Sequence, residues 1–200
     1  ILNIELFFIT LLLALPLGLV ITFCSMSKFK PLKWLSRTFV WIIRGTLLML
    51  QLFVVLYVPG LLFAMPISSR FTAAVIAFVI NYAAYFAEIY RSGIESIPTG
   101  QYEAAQLLGY TRVQTFFKIV LPQVVKIVLP SVTNEVITLV KDTSLVYSVS
   151  YIEMFAVAKQ IAAAQTTVVP FFIAGIFYYV FNFLVAWIME KIEKHLSYYR

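Results

Sequence analysis

Ser131, the adjacent Asn134 and Glu135, Thr138 and Asp142 follow one another at steps of three or four inside a largely apolar run, so a helix would carry them close to one face. Asn81, Tyr85 and Glu88, spaced four and three apart, share a second face. On a soluble helix such stripes would be solvated surface. In hydrocarbon they cannot face lipid, because a charge at the bilayer centre costs about 2.5–3.5 kcal/mol on insertion scales. Two kinds of chemistry are then open. The faces line a path for a polar solute, or they close on Lys126, Lys141 and Arg91 as a structural ion-pair network. Catalysis has little to stand on: Cys24 and His195 are the one cysteine and the one histidine, which leaves no internal disulfide, no metal-ligating cluster and no Cys/His or Ser/His constellation. No catalytic, metal-binding or cofactor-binding residue is expected.

The composition says what must hold these faces. With 62% hydrophobic and 12% charged residues, the chain lies far from the soluble balance of about half apolar and a quarter charged. It reads as an all-α integral membrane protein, a single transmembrane domain over residues 1–200. Several apolar runs approach the roughly 20 residues that cross a bilayer as a helix. Lipid demands that the backbone pair with itself, and no ten-residue alternation suggests a barrel. About five spans are expected, at residues 4–26, 47–65, 71–90, 119–140 and 168–189. The second has the option of starting as early as Leu35. Pro16 and Gly18 mark a kink or close packing in the first, and Ala73, Ala77, Ala83 and Ala87 permit close helix contact in the third.

The net charge of +6 sits at the ends of apolar runs, which speaks for topology rather than nucleic acid. Lys28, Lys30, Lys33 and Arg37, then Arg91, then Lys191, Lys194 and Arg200, belong in the cytosol, so the N-terminus is expected outside and the C-terminus inside. The first run lacks a basic flank before it and has one after it, the reverse of a secretory signal. Arg44 near a span end reads most simply as a snorkelling side chain. Residues 143–167, including Glu153, are too mixed to span and are expected to form an outer gate or a re-entrant segment.

Residues 97–122 cannot sit in hydrocarbon, because they carry Glu103, Arg112 and Lys118 among Gln, Thr and Gly. Pro98 can start a helix and Gly109 can end it, which predicts a short helix over 99–108. Val113, Phe116, Phe117 and Val120 then follow at helical spacing. The segment is either a plain interfacial loop or a docking element for a soluble partner.

In this topology the run ESIPTGQYEAAQLLGYTRVQTFFKIVLPQ at 95–123 resembles the EAA loop of permease subunits of ABC importers, in particular those for polar amino acids of the histidine, arginine and glutamine type. RGTLLMLQL at 44–52, AEIYRSGIESIPTGQ at 87–101 and LPSVTNEVITLVKDTSLVYSV at 129–149 agree with it. Leu47 departs from the Pro common there, and the start of the first span looks incomplete, as though residues precede Ile1. The resemblance implies a type I importer fold in a prokaryotic cytoplasmic membrane. It also implies a second permease subunit, identical or homologous, two ATPase subunits that bind ATP and Mg, and an extracellular or periplasmic solute-binding protein. It places ATPase coupling in residues 97–118, with Gly100, Glu103, Ala104, Ala105 and Gly109, the two alanines seating the short helix in a groove of the ATPase. The solute path is expected along Asn81, Tyr85, Glu135, Thr138, Asp142 and Glu153. Their acidic excess favours a cationic amino acid; glutamine or cystine stays open, because Lys126, Lys141 and Lys159 can neutralise the acids. A permease for another small solute such as methionine, and a channel or scaffolding protein, are the competing readings.

Overall fold

The computed structural model describes residues 2–63, 67, 69–149 and 154–196. In chain order the elements are α1 (Leu2–Met26), α2 (Lys30–Gly45), α3 (Leu48–Phe63), α4 (Arg70–Glu95), α5 (Thr99–Leu107), α6 (Arg112–Thr115), a π-turn (Phe116–Val120), α7 (Leu121–Asp142), a 3-10 turn (Thr143–Val149), α8 (Met154–Gln165) and α9 (Val169–Leu196). Four helical segments are long and apolar enough to cross a membrane, Asn3–Met26, Arg70–Glu95, Arg112–Val149 and Val169–His195, and the bent pair α2–α3 is the fifth candidate. The protein is an all-helical membrane protein.

α4 is the central helix, 61% of its most apolar stretch being buried against 11% for α9. It meets α1 along small residues: a Cβ added at Gly18 would stand 2.9 Å from Phe86 Cβ and 3.2 Å from the Ala83 carbonyl oxygen. Ala14, Ala83 and Ala87 are buried beside it, and the Thr22 hydroxyl donates to the Gly18 and Ala87 carbonyls at 2.8 and 3.0 Å. Close backbone approach is what holds helices together where lipid removes the hydrophobic drive between them. Asn3 donates to the Tyr178 hydroxyl, and Phe7 stacks edge-on against Phe181, so α1 and α9 run the same way.

The expected second span is α3, which begins at Leu48; the option of one helix from Leu35 fails, because α2 and α3 meet at 110°. Thr46 is extended, which leaves the last carbonyls of α2 without helical partners. The buried Gln51 amide donates to the Ile43 carbonyl and to the Thr46 hydroxyl, both at 2.8 Å, and that hydroxyl donates in turn to the Ile42 carbonyl at 3.1 Å. α2 is amphipathic, with Val40 packed on Ala84 and Ala87.

The expected fourth span, residues 119–140, is α7 with its π-turn lead-in, ending at Asp142. α7 runs against α4 with Val128 facing Gly93 and Asp142 facing Tyr82, near the middle of α4. Its C-terminus therefore stops inside the bundle, and the following turn is buried at Thr143, Val146 and Val149. The crossing depends on Gly93, where an added Cβ would stand 2.2 Å from Val128 Cγ1. Gly93→Ala is expected to lower stability by about 1–3 kcal/mol through overpacking, seen as a lower apparent Tm of the solubilised protein. Gly175→Ala, with nothing within 4 Å of the added carbon, should leave it unchanged.

Candidate functional site

Tyr82 is 1% exposed, and its hydroxyl donates to Asp142 Oδ2 at 2.8 Å, joining the middle of α4 to the end of α7. Asp142 also lies in the field of Lys141. Glu135, about two turns earlier on the same face of α7, is half-buried and within electrostatic reach of Asp142 and Arg44. The Arg44 guanidinium sits 5.2 Å from the centre of the Tyr85 ring and 3.8 Å from Glu88 Oε1. Arg91 forks onto Glu88 and reaches Glu95 at 3.0 Å, and Arg37 reaches Glu95 at 3.6 Å. A polar belt thus runs from Asp142 through Glu135 and Arg44 to the last turns of α4.

This belt gathers three of the six candidate path residues. Asp142 and Tyr85 are joined through Tyr82, Arg44 lies over the Tyr85 ring, and Glu135 stands within electrostatic reach of Asp142 and Arg44. Asn81 does not join them: it is 4% exposed and its amide donates to Gln51 Oε1 at 3.0 Å, so it braces the α2–α3 elbow. The Thr138 hydroxyl is engaged with the Asn134 carbonyl at 2.9 Å. Glu153 lies outside the described residues. Sequence reasoning missed Tyr82 and Gln51 and gave Arg44 a different role. Arg44 stacks and pairs inward in addition to any reach toward the interface, and Tyr82 had a signal in standing three residues before Tyr85. Gln51 had one too, as a lone amide in an apolar run.

The 97–118 segment is built by local chemistry. At the end of α5, Gly109 has φ +77°. Its N–H donates to the Gln106 carbonyl and that of Tyr110 to the Ala105 carbonyl, both at 3.0 Å, a Schellman closure that needs a left-handed residue. Thr111 and Gln114 form a capping box that starts α6. In the π-turn, the wider spacing moves the Lys118 carbonyl away from the Pro122 ring, which would otherwise collide with it. Gln101 and Gln123 exchange amide hydrogen bonds at 2.9 and 2.6 Å. Ile97, Val120, Val124 and Val128 pack together beneath with Tyr102 of α5 against them, which ties α5 to α4 and α7.

Ala104, Glu103 and Gly100 are exposed, but Ala105 is 1% exposed. Of the two alanines only Ala104 is presented outward; Ala105 supports the loop from within. Beside them Leu107 and Leu108 are 90% and 75% exposed, and Val113 and Phe117 are also exposed. A rigid, apolar-tipped element of this kind is suited to docking a partner.

Residues 14–198 match the family model described as the binding-protein-dependent transport system inner membrane component. Among similar proteins, the L-cystine transport system permease protein TcyB of Bacillus subtilis (strain 168) is 35% identical over 98% of this chain and 84% of the relative. The arginine transport system permease protein ArtQ of the same organism is 35% identical over 94% of this chain and 86% of its own length. A crystal structure of an amino acid ABC transporter with histidines superposes with TM-score 0.87 at 31% identity, covering 96% of this chain and 90% of that one. The inward-facing MetNI methionine ABC transporter superposes with TM-score 0.74 at 18% identity, covering 98% and 91%, and shares the fold.

Proposed function

Because the chain belongs to the family of binding-protein-dependent transport system inner membrane components, we propose that it is the transmembrane subunit of an ATP-driven ABC importer carrying a polar, cationic amino acid into the cytosol. A permease of this kind works with an ATPase, a binding protein and a second permease subunit, and hydrolysis belongs to the ATPase. The finer reading is two ATPase copies holding ATP and Mg and an identical or homologous second permease. It places the complex in a prokaryotic cytoplasmic membrane, with the N-terminus outside and α5 in the cytosol. The chain itself binds no metal or cofactor. Its sequence holds no GxxxxGK[ST] run, so energy arrives by contact.

The observation that carries the reading is the rigid α5 unit. Its Gln101–Gln123 bracket and the Ile97 cluster tie a surface tip to α4 and α7, the two helices that bear Tyr85, Glu135 and Asp142. Motion of the tip therefore moves the polar belt. Alternating access is a two-state equilibrium biased by ATP and by the loaded binding protein. Residues 143–167, of which 150–153 lie outside the described residues, form the outer gate in this scheme.

The relatives, a cystine and an arginine permease at equal identity, support an amino acid substrate, and the preference for a cationic one rests on charge alone. Glu135 and Asp142 give the α7 face its acidic character, which is the ground for a cationic side chain; Lys141 beside Asp142 and Arg44 near Glu135 keep a neutral amino acid such as cystine open. Methionine is disfavoured, since that likeness is one of fold. A channel or scaffold is disfavoured by the family itself.

The test is uptake and substrate-stimulated ATP hydrolysis by the reconstituted complex, screened across amino acids. Gly109→Val is the informative variant. Open space surrounds Gly109, but its φ of +77° strains a side-chain-bearing residue by roughly 1–3 kcal/mol. We expect normal insertion and uptake reduced roughly 5- to 150-fold, the same range expressed as a population shift. Wild-type uptake in Gly109→Val removes the coupling role of this turn.

A further inference from the structure

A cavity of about 270 Å³ opens between α1, α2 and α4, beside the end where α4 leads into α5, and Arg37, Trp41, Arg44, Glu88 and Arg91 line it. Arg91 is saturated by Glu88 and Glu95. Arg37 and Arg44 reach the same two carboxylates only at 3.6 and 3.8 Å, with side chains 45% and 41% exposed. A guanidinium carries five donors in a planar fork, so both retain donors for an anion in the cavity.

The surroundings narrow the kind of anion. Lys30, Lys33, Arg37 and Arg44 fall on one edge of α2 at steps of three, four and seven. With Arg91, five cations stand against Glu88, Glu95 and Glu135. Trp34 and Trp41 lie beside this edge, 70% and 77% exposed, and Leu35 and Ile42 are exposed further round the helix. Tryptophans next to a basic edge, with apolar side chains beyond, match a headgroup region with its acyl chains. A soluble anion would need the guanidiniums alone.

We propose that this cavity is a site for the phosphodiester headgroup of an anionic phospholipid. Arg37 and Arg44 donate to the phosphate, and Trp41 rests at the glycerol level. The bound lipid fastens α2 to α4 at the elbow, so the site sits where the belt meets the membrane surface. The placement of this end at a membrane interface rests on reading α5 as the cytosolic loop.

The experiment uses the intact complex of permease and ATPase. Detergent-solubilised complex is offered phosphatidylglycerol or phosphatidylcholine, and retained lipid is measured by native mass spectrometry, with inorganic phosphate as competitor. We expect selective retention of phosphatidylglycerol, undisturbed by inorganic phosphate. Retention should fall roughly fivefold in Arg37→Gln, as removal of one cation near an anionic headgroup implies, and should also fall in Trp41→Ala, which keeps every charge. Lys191→Gln on α9 should change nothing. Equal retention of both lipids, equal loss in Lys191→Gln, or displacement by inorganic phosphate overturns the site; the last result identifies a free anion as the ligand. Amino acid uptake measured in parallel vesicles separates the two readings. No uptake in any lipid counts against the importer, while uptake with lipid retention indifferent to Arg37 and Trp41 counts against the lipid site alone.

Discussion

Replacing Leu107 and Leu108 together by Asp is expected to leave the permease folded in the membrane but without its ATPase. Both side chains are held outward at the tip of α5, 90% and 75% exposed, and neither belongs to the cluster of Ile97, Val120, Val124 and Val128 that supports the loop. Their removal therefore takes little from folding. Two adjacent leucines on a braced turn offer apolar area to an interface, and burying a leucine is worth about 1.5–3 kcal/mol, or roughly 10- to 150-fold in affinity. Two buried carboxylates facing an apolar groove would deepen the loss. The measurement is the amount of ATPase that co-purifies with the tagged permease, together with uptake. ATPase retained at the wild-type ratio, with uptake intact, would mean that the partner docks elsewhere. Ala105→Leu makes a useful contrast. Ala105 is buried under the turn, so a larger side chain should loosen the loop itself and lower the apparent Tm, which the aspartate variant should not do.

These two variants also show which parts of the molecule a sequence can disclose. The α5 turn was legible almost to the residue, because its determinants are local: Pro98 before the helix, Gly109 after it, and a carbonyl two to five residues away to close on. The division into apolar helices was legible for the same reason, since each run satisfies its own backbone. The α2–α3 elbow was not. Its break is held by Gln51 from the following helix and Asn81 from thirty residues further on, and no local pattern announces a tertiary cap. The height at which α7 ends was not legible either. It depends on how far α7 slides along α4, which Gly93 and Val128 fix by contact. That offset brings Asp142 beside Tyr82 and makes the belt, with Glu135 on the same face of α7, while Asn81 is bound to Gln51 at the elbow.

Within that belt, Glu135→Gln and Asp142→Asn are expected to weaken transport of arginine or lysine far more than transport of a neutral amino acid. Each change keeps side-chain size and removes a negative charge from a half-buried face of α7, and Arg44 on α2 lies within electrostatic reach of Glu135. A cationic substrate then meets Arg44 without its counter-charge. Truncating one partner of a desolvated charge pair costs about 2–5 kcal/mol, so the KM for the cationic substrate should rise by at least tens of fold. In Asp142→Asn the amide oxygen can still accept from the Tyr82 hydroxyl, which preserves the α4–α7 junction. Asp142→Ala instead leaves that hydroxyl, in a side chain 1% exposed, without its acceptor and should cost about 1–3 kcal/mol of stability. Tyr82→Phe separates positioning from recognition: it removes the brace but keeps the carboxylate, so stability should fall while the preference for cations persists. Labelled-substrate uptake at several concentrations, with thermal denaturation of each variant, reads all four. Equal losses for cationic and neutral substrates would assign both carboxylates to the scaffold, and unchanged arginine affinity in both isosteric variants would take them out of the path.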